Sequence, residues 1–346
     1  LVFTSDGVLM AAPFDARAME LEGAPVALLD GVLSYSLSTN GRLAYAGGGT
    51  ALTTDTELVW VTRSGDATPV ESGWTFDRGE GNPGWSLSPD GTRIAVRQTS
   101  TGGNLDIWIK DLPAGPLRRL TFDEADQRAP FWTPDGARVT YFSTSTEGTA
   151  SGDVWWSRAD GTGQPELILA GVPGFAQGAW SPDQGALVLR TAALVLPRQV
   201  LARDLRQFRP GADTTALPLV ATAEYAEQDP TISRDGRWIA YTSNETGRQD
   251  VFVRPFPDVD AAKIQVSTDG GSGPLWSRDG RELFYVDGAR NLVAARFDTS
   301  SGFRVTSQER LFEITRSHIR GVAITNVDVK PDGERCMMGR SQAGTE

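Results

Sequence analysis

The chain carries few of the side chains from which enzymes assemble active sites. Its 346 residues include one histidine, His318, and one cysteine, Cys336. These counts exclude a histidine-cluster metal site, a cysteine-based zinc site and an internal disulfide. The sequence also contains no Gly-x-Ser-x-Gly nucleophile elbow, so the serine chemistry of an α/β-hydrolase is not supported. We expect no catalytic residue, no metal and no cofactor.

Two further groups of residues have types suited to ligand binding. Asp123, Glu124 and Asp126 form an oxygen-rich stretch of the kind that binds Ca²⁺. The stretch lacks EF-hand spacing, and a solvated loop is the simpler interpretation. The second group consists of tryptophans, Trp132, Trp180 and Trp276. Their regular spacing favours repeated packing positions over an aromatic binding cage.

A recurring tight turn organises the positions of all these residues. In Ser88-Pro89-Asp90-Gly91, proline presets φ, aspartate accepts local backbone hydrogen bonds and glycine takes a conformation that other residues resist. Variants of this turn place Asp or Asn at 40, 90, 135, 183, 235, 279 and 332. These positions differ by 44 to 53 residues, a spacing typical of the blades of a β-propeller. The turn aspartates are therefore interpreted as structural, not as a general acid and base.

Apolar residues recur at fixed offsets from each turn. Three residues before the Asp or Asn stand Leu37, Leu87, Trp132, Trp180, Ile232, Trp276 and Val329. Four residues after the Asp stand Ile94, Val139, Leu187, Ile239, Leu283 and Cys336. Both columns predict core positions on paired strands, so Cys336 is expected to be buried. The repeat from 183 to 235 is the least regular, and a distorted blade is expected there.

The repeats predict an all-β propeller of four-stranded antiparallel blades in a single domain over residues 1–346. Seven blades are favoured and six remain possible. In the seventh blade, residues 326–329 and 335–338 would supply inner strands, while residues 2–4, 8–14 and 25–29 would supply outer ones. Strands from both termini would then close the ring and leave no free sheet edge. Because the first residues already have a strand pattern, the chain is expected to be part of a longer polypeptide.

The repeat units resemble those of bacterial TolB-like, WD-type propellers. The pattern Trp-Ser-Pro-Asp-Gly, then an apolar strand, then Asp-Ile-Trp is matched by Trp180-Ser181-Pro182-Asp183 and by Asp106-Ile107-Trp108. Residues 7–15, 235–245 and 253–257 are most similar to the propeller found C-terminal to bacterial serine/threonine protein kinase domains. The resemblance implies the fold and a kinase context, but a fold of this kind hosts many unrelated activities.

The strand directions of a propeller separate two faces. The tight Asp-Gly turns lie on one face, while the longer second-to-third loops and the fourth-to-first connections lie on the other, which we call the loop face. Loops positioned by a rigid scaffold are where binding residues concentrate. The connections bring polar side chains to the mouth of the central channel, namely Asn82, Gln127, Arg128, Gln177, Gln228, Asp229, His318 and Arg320. These residues are the candidate ligand- or partner-binding site, with Arg128 and Arg320 suited to a carboxylate.

Composition limits the possible partners. The net charge of -11 and a pI near 4.8 argue against nucleic acid, since that partner requires clustered Lys and Arg. The sequence contains no run of 18 apolar residues, the length typical of a transmembrane helix. We therefore expect a protein partner, a peptide or a polar small molecule. An extracytoplasmic location is favoured, with membrane attachment through an upstream segment or a partner.

Three classes of function remain open. The first is a non-catalytic module that senses a ligand or binds a protein, for example as the sensor domain of a bacterial kinase. The second is a structural subunit of a larger assembly. The third is an enzyme, a hydrolase or lyase, with a site at the channel mouth.

Overall fold

Short strands joined by tight turns make up the whole architecture. The computed structural model describes residues 1–5, 8–15, 17–29, 32–37, 43–47, 56–76, 84–100, 103–144, 151–174, 177–195, 200–222, 224–314, 327–329 and 335–341. Within these residues every regular element is a β-strand, and none is a helix that could span a membrane. The all-β prediction is confirmed.

Five successive antiparallel sheets of four strands follow the repeats, each with its strands in chain order. Sheet A contains Trp85–Leu87, Arg93–Thr99, Leu105–Asp111 and Leu117–Arg119. Sheet B contains Gln127–Trp132, Arg138–Thr144, Ser151–Arg158 and Glu166–Pro173, and sheet C contains Gln177–Trp180, Leu187–Val195, Val200–Phe208 and Leu217–Val220. Sheet D contains Glu227–Ile232, Trp238–Ser243, Asp250–Pro255 and Ile264–Gln265, and sheet E contains Gly271–Trp276, Glu282–Asp287, Asn291–Asp298 and Arg304–Glu313.

A sixth sheet, F, combines strands near the C-terminus with strands from residues 56–76. Val327–Val329 pairs with Arg335–Ser341, which pairs in turn with Thr56–Thr62. Ala67–Pro69 and Thr75–Phe76 complete the sheet. Distant parts of the chain thus share one sheet, as expected, but the outer strands come from residues 56–76.

The assignment of the outer strands to residues 2–29 was therefore wrong. Val2–Ser5, Val8–Ala11 and Val26–Leu29 form a separate three-stranded sheet. The third strand of sheet F must pack against neighbouring sheets on both of its faces. Thr56–Thr62 does so, because Val59 and Val61 are buried against sheet E and Leu58 is buried against sheet A.

The remaining described strands form two small sheets. Phe14–Asp15 pairs with Glu20–Leu21, and Val32–Leu37 pairs with Leu43–Gly47. The last two strands lie on either side of the turn position at Asn40, where the repeat predicts a four-stranded blade, and they form a two-stranded sheet instead. Six sheets of four or more strands are present in the described ranges, and the favoured count of seven blades stays a prediction.

Six hydrophobic clusters connect these sheets face to face. They lie between sheets A and B, B and C, C and D, and D and E. The fifth cluster joins E to F and the sixth joins F to A. Both apolar columns of the sequence lie in or beside these clusters, with Ile232 only partly buried, and Leu37 lies among residues whose side chains are not described. The core is therefore distributed between neighbouring sheets.

The tight turns are stabilised by their own side chains. In the turn of sheet B, Thr133 Oγ1 donates to Asp135 Oδ1 at 2.6 Å, and Asp135 Oδ1 accepts the Ala137 amide at 3.0 Å. The same arrangement recurs in sheets A, C, D and E through Asp90, Asp183, Asp235 and Asp279. These hydrogen bonds lower the pKa of Asp135 although its partial burial acts the other way. The structural interpretation of the turn aspartates is confirmed.

The repeat at 183 to 235 is more regular than its sequence indicated. Sheet C has four strands in chain order, and its second and third strands pair without interruption from Leu187–Phe208 to Val195–Val200. Its distinguishing feature is the length of these two strands, nine residues each. In the described strands of this sheet, the expected distortion consists of one register shift, at Leu205 and Arg206, in the pairing of the third strand with the fourth.

Replacing Gly280 by Val should destabilise the fold. Gly280 has φ of +71°, and no atom lies within 4 Å of the place that a Cβ would take, so the cost is conformational and amounts to about 1 to 3 kcal/mol. Gly280→Asn should cost less, since Asn tolerates this conformation. Urea denaturation compares the two variants, and equal stability of Gly280→Val and the wild type would contradict the turn geometry.

The thiol of Cys336 should not react in the native protein. Its residue is 5% exposed, and burial raises the pKa of the thiol to about 12, so almost no thiolate is present at neutral pH. A thiol reagent should label Cys336 only after denaturation, at a rate that follows global unfolding. Rapid labelling of the folded protein would contradict its place in the cluster between sheets E and F.

Candidate functional site

The loop face is assembled by direct contacts between the two kinds of connection. Asn104, in the second-to-third loop of sheet A, donates to the Asp123 carbonyl at 2.7 Å in the next connection. Asn244 Oδ1 in the corresponding loop of sheet D accepts the Ala226 amide at 2.7 Å. The connections that precede the inner strands therefore lie beside these loops.

The inner strands of sheets B, D and E are interrupted at equivalent places. A register shift occurs where Ala129, Asp229 or Gly273 precedes a proline, and these residues have φ of 50°, 54° and 62°. Proline cannot donate to the strand ladder, and bulges of this kind redirect side chains near functional sites. A left-handed Asp before proline is costly, so surrounding contacts must hold Asp229 in place.

Hydrogen bonds from two neighbouring strands hold Asp229. Gln177 Nε2 donates to Asp229 Oδ1 at 2.6 Å, and the Asp229 amide donates to Gln177 Oε1 at 2.9 Å. Thr242 Oγ1 donates to Asp229 Oδ2 at 3.0 Å and accepts the Gly273 amide at 3.1 Å. Sheets C, D and E are thereby linked at one polar point beside their inner strands.

Two arginines of sheet C lie near this point. Arg203 Nη1 donates to Gln228 Oε1 at 2.7 Å. Arg190 is cross-strand from Gln177 and interacts electrostatically with Asp229. Burial, followed by the neighbouring charge of Arg203, lowers the pKa of Arg190 to about 10. Arg190 therefore stays charged at neutral pH, in surroundings that disfavour its charge.

Five residues of the predicted site fall in the described ranges. Gln177, Gln228 and Asp229 lie together as set out above. Gln127 is fully buried in sheet B, where its Nε2 donates to Ser143 Oγ at 3.2 Å. Arg128 Nη2 donates to Asp126 Oδ2 at 2.8 Å, so it already has a carboxylate partner. Asn82, His318 and Arg320 lie outside the described residues.

Arg190, Arg203 and Thr242 are the members of this group that the sequence analysis missed. Arg190 and Thr242 each stand seven residues after a turn aspartate, Asp183 and Asp235 respectively. A residue at this offset lies on the second strand, three residues past the buried position that follows the aspartate by four, and therefore closer to the loop face. A polar residue at that offset was therefore a usable sequence indicator.

The other candidate ligands have structural partners. Asp126 accepts the Leu105 amide at 2.9 Å as well as Arg128, and no group of three or more potential metal ligands occurs in the described part of the chain. The indoles of Trp132, Trp180 and Trp276 each donate to the preceding sheet. These tryptophans join sheets and do not form an open cage.

On the turn face, one arginine side chain contacts two other sheets. Arg278, in the turn of sheet E, donates to the Val329 carbonyl of sheet F at 3.0 Å and to the Ser88 carbonyl of sheet A at 3.1 Å. It also contacts the Pro89 carbonyl. Arg278 therefore connects three sheets, and its donors are not available to a ligand.

Among the described residues, two cavities are lined by residues of sheet E and of sheet D or the connection that follows it. One of about 400 Å³ opens near Asp269 and Asp287, whose carboxylates are paired with Arg310. The other, of about 340 Å³, lies on the turn face against Trp238 and Trp276. Neither contains a set of groups arranged for catalysis.

Glu227 is a buried carboxylate whose pKa is strongly altered by its surroundings. It is 2% exposed, and burial, together with the nearby Asp204 and Glu245, raises its pKa to about 7, against a hydrogen bond from Thr222. Gln127 occupies the equivalent place in sheet B, since both residues pair with a serine of the second strand. A neutral side chain therefore suits this position.

The free energy of unfolding should decrease as pH rises from about 4.5 to about 7, the range between the pKa values of Glu227 in the unfolded and folded protein. The unfolded chain releases this proton near pH 4.5 and the folded chain near 7, so folding is favoured most below 4.5 and loses about 3 kcal/mol by pH 8. Glu227→Gln should make this slope shallower but not remove it, because burial also raises the pKa of Asp328 and that group acts in the same direction. The exposed control Glu313→Gln should keep the full slope. Urea denaturation at pH 5 and pH 8 measures the difference, and a slope in Glu227→Gln equal to that of the wild type contradicts the assignment.

Comparison with known proteins gives a fold and a distant relative. No family model matches the chain. The uncharacterized peptidase YuxL of Bacillus subtilis is 24% identical over 199 residues, which are 56% of this chain and 26% of YuxL. The chain therefore spans only about a quarter of that relative's length.

Two solved structures of similar architecture are TolB proteins. One, described as "putative TolB" from Agrobacterium tumefaciens, has a TM-score of 0.57 at 18% identity, covering 83% of this chain and 98% of that one. TolB from Acinetobacter baumannii has a TM-score of 0.48 at 13% identity, covering 99% and 79%. Together with the successive four-stranded sheets, the first comparison confirms the predicted fold. The chain therefore has a β-propeller fold similar to that of TolB proteins.

Proposed function

We propose that this propeller is a non-catalytic module that binds a protein, a peptide or a polar small molecule at the loop face. The observation that carries the proposal is the strained Asp229. Its carboxylate and amide are held by Gln177 and Thr242, and the latter also contacts Gly273. Strain retained by surrounding contacts is characteristic of functional sites.

The proposed contact residues combine this polar point with the rest of the channel mouth. Gln228 and Asp229 are its centre, and Gln177 and Arg128 belong to its border. Gln127 is fully buried, so its proposed role is to support the neighbouring Arg128 and not to contact the ligand. Asn82, His318 and Arg320 belong to the proposal through their sequence positions alone. Arg128 would bind a ligand only by exchanging its Asp126 partner, so its expected role is secondary.

Two alternatives retain some support. A structural subunit would use the exposed outer strands, where Leu167 is 50% exposed. An enzymatic role is favoured by the name of YuxL, although the chain matches only 26% of that protein. Peptidase assays of the whole protein distinguish this alternative from a binding module.

The cellular context is a further part of the proposal. The TolB-like fold is compatible with an extracytoplasmic location, and the resemblance to kinase-linked propellers suggests a sensor domain. The kinase association has no support from the comparisons and stays a prediction. The coding sequence upstream of Leu1 tests it, since a kinase domain and a transmembrane helix are expected there.

Site-specific photocrosslinking tests the location of binding. A photoreactive residue at Gln228 should give a discrete adduct in an extract of the source organism, because several sheets bring polar groups together there. The same residue at Arg281 on the turn face, whose side chain is 84% exposed, should give none. The same photoreactive residue at Leu167, in the exposed fourth strand of sheet B, tests for binding at the outer strands.

The pattern of adducts decides between the alternatives. An adduct from Gln228 alone supports the loop face as the binding surface. Adducts from Leu167 or Arg281 without one from Gln228 contradict the proposal, and an adduct from Leu167 alone favours the structural subunit.

A further inference from the structure

Arg190 and Arg203 project from the same face of sheet C. Alternate residues of a strand share a face, and the neighbours Val188 and Leu205 both belong to the cluster between sheets C and D. Arg190 is also directly cross-strand from Leu205. Both guanidinium groups therefore extend from the apolar contact toward sheet D, at the end of the strands that leads to the loop face.

Within the described residues, the two arginines lack the carboxylate partners that buried guanidinium groups normally have. Arg190 Nε is buried and has no hydrogen-bond partner there. Both oxygens of the neighbouring Asp229 already accept bonds from neutral donors, Gln177 and Thr242. The described ion pairs on sheet C are made by Arg206 and Arg209 instead.

This arrangement is unfavourable for the protein alone. Two like charges repel each other across the same face, and a buried donor without a partner costs free energy. The lowered pKa of Arg190 reflects the same two causes, burial and the charge of Arg203. An anion placed between the guanidinium groups would remove both costs, since each presents planar donors suited to an oxygen pair.

We infer that Arg190 and Arg203 bind a carboxylate group of the ligand at the loop face. The inference rests on the proposed function and gives it a ligand chemistry. With Asp229 nearby, the three charged groups have a net charge of about +1, which matches a monoanionic carboxylate better than a phosphate dianion. The carboxylate belongs either to the C-terminus of a peptide or to a small organic acid.

The test uses simple probes and the Nε–H resonances of the arginine side chains. The probes are propionate, N-acetyl-trialanine with a free C-terminus, the same peptide as its amide, and inorganic phosphate. The two carboxylate probes should shift the Arg190 Nε–H resonance, while the amide should not. A response to propionate alone assigns the carboxylate to a small acid, and a response to the free peptide alone assigns it to a C-terminus.

Matched variants separate recognition from structure. Arg190→Lys keeps the charge but loses the planar donors, so affinity for the responding probe should fall at least about tenfold. Arg281→Lys, on the exposed turn face, should bind like the wild type. Arg190→Met should also lose binding while its melting temperature stays the same or rises, because an unpaired charge is removed.

Several results would overturn the inference. They are a response to phosphate as strong as to the free acids, unchanged affinity in Arg190→Lys, or a large drop in the melting temperature of Arg190→Met, which would indicate a structural role. Absence of any shift in Arg190, combined with a photocrosslink from Gln228, would reject the carboxylate site and leave the proposed loop-face function intact.

Discussion

The pairing of Arg335–Ser341 with Thr56–Thr62 is the interaction on which the rest of the structure depends. It makes one sheet from segments far apart in sequence, and Arg340 reinforces it through a 2.6 Å ion pair with Glu57. Both faces of the resulting sheet are apolar and pack against sheets E and A. Without this pairing, those two sheets would each lose a neighbour and expose the corresponding cluster to water.

Polar contacts with sheet E reinforce the same junction. Arg63, just after Thr56–Thr62, reaches Glu282 of sheet E at 2.9 Å. On the turn face, Arg278 connects sheet E with sheets F and A. Such contacts are individually modest when they are partly exposed, but several of them act on the same junction. They therefore favour one arrangement of the sheets over others.

The inner strands combine this rigid frame with local irregularity. Regular strand pairing is interrupted at a residue before proline in sheets B, D and E. In sheets D and E the backbone amide of that residue donates a hydrogen bond to a side chain of a neighbouring strand instead. In sheet B the equivalent residue is Ala129, which packs in the cluster between sheets B and C. The same backbone irregularity thus serves packing in one sheet and a polar network in another, which is why the repeat alone does not identify the site.

Local features of the fold could be predicted from the sequence, and so could part of the site. The Asp-Gly turns, the two apolar columns and the burial of Cys336 follow from residue types at short spacing, because a tight turn determines which residues of its two strands pair. Gln177, Gln228 and Asp229 are predicted from the sequence as residues of the connections that lead into inner strands, and the structure places them in the first residues of those strands. The tertiary structure alone decided that Thr56–Thr62 pairs with Arg335–Ser341, since any strand apolar on both faces satisfies the same local pattern. It also decided that Arg190 lies beside Arg203 and Asp229, because that proximity depends on the register within sheet C and on the packing of sheet C against sheet D.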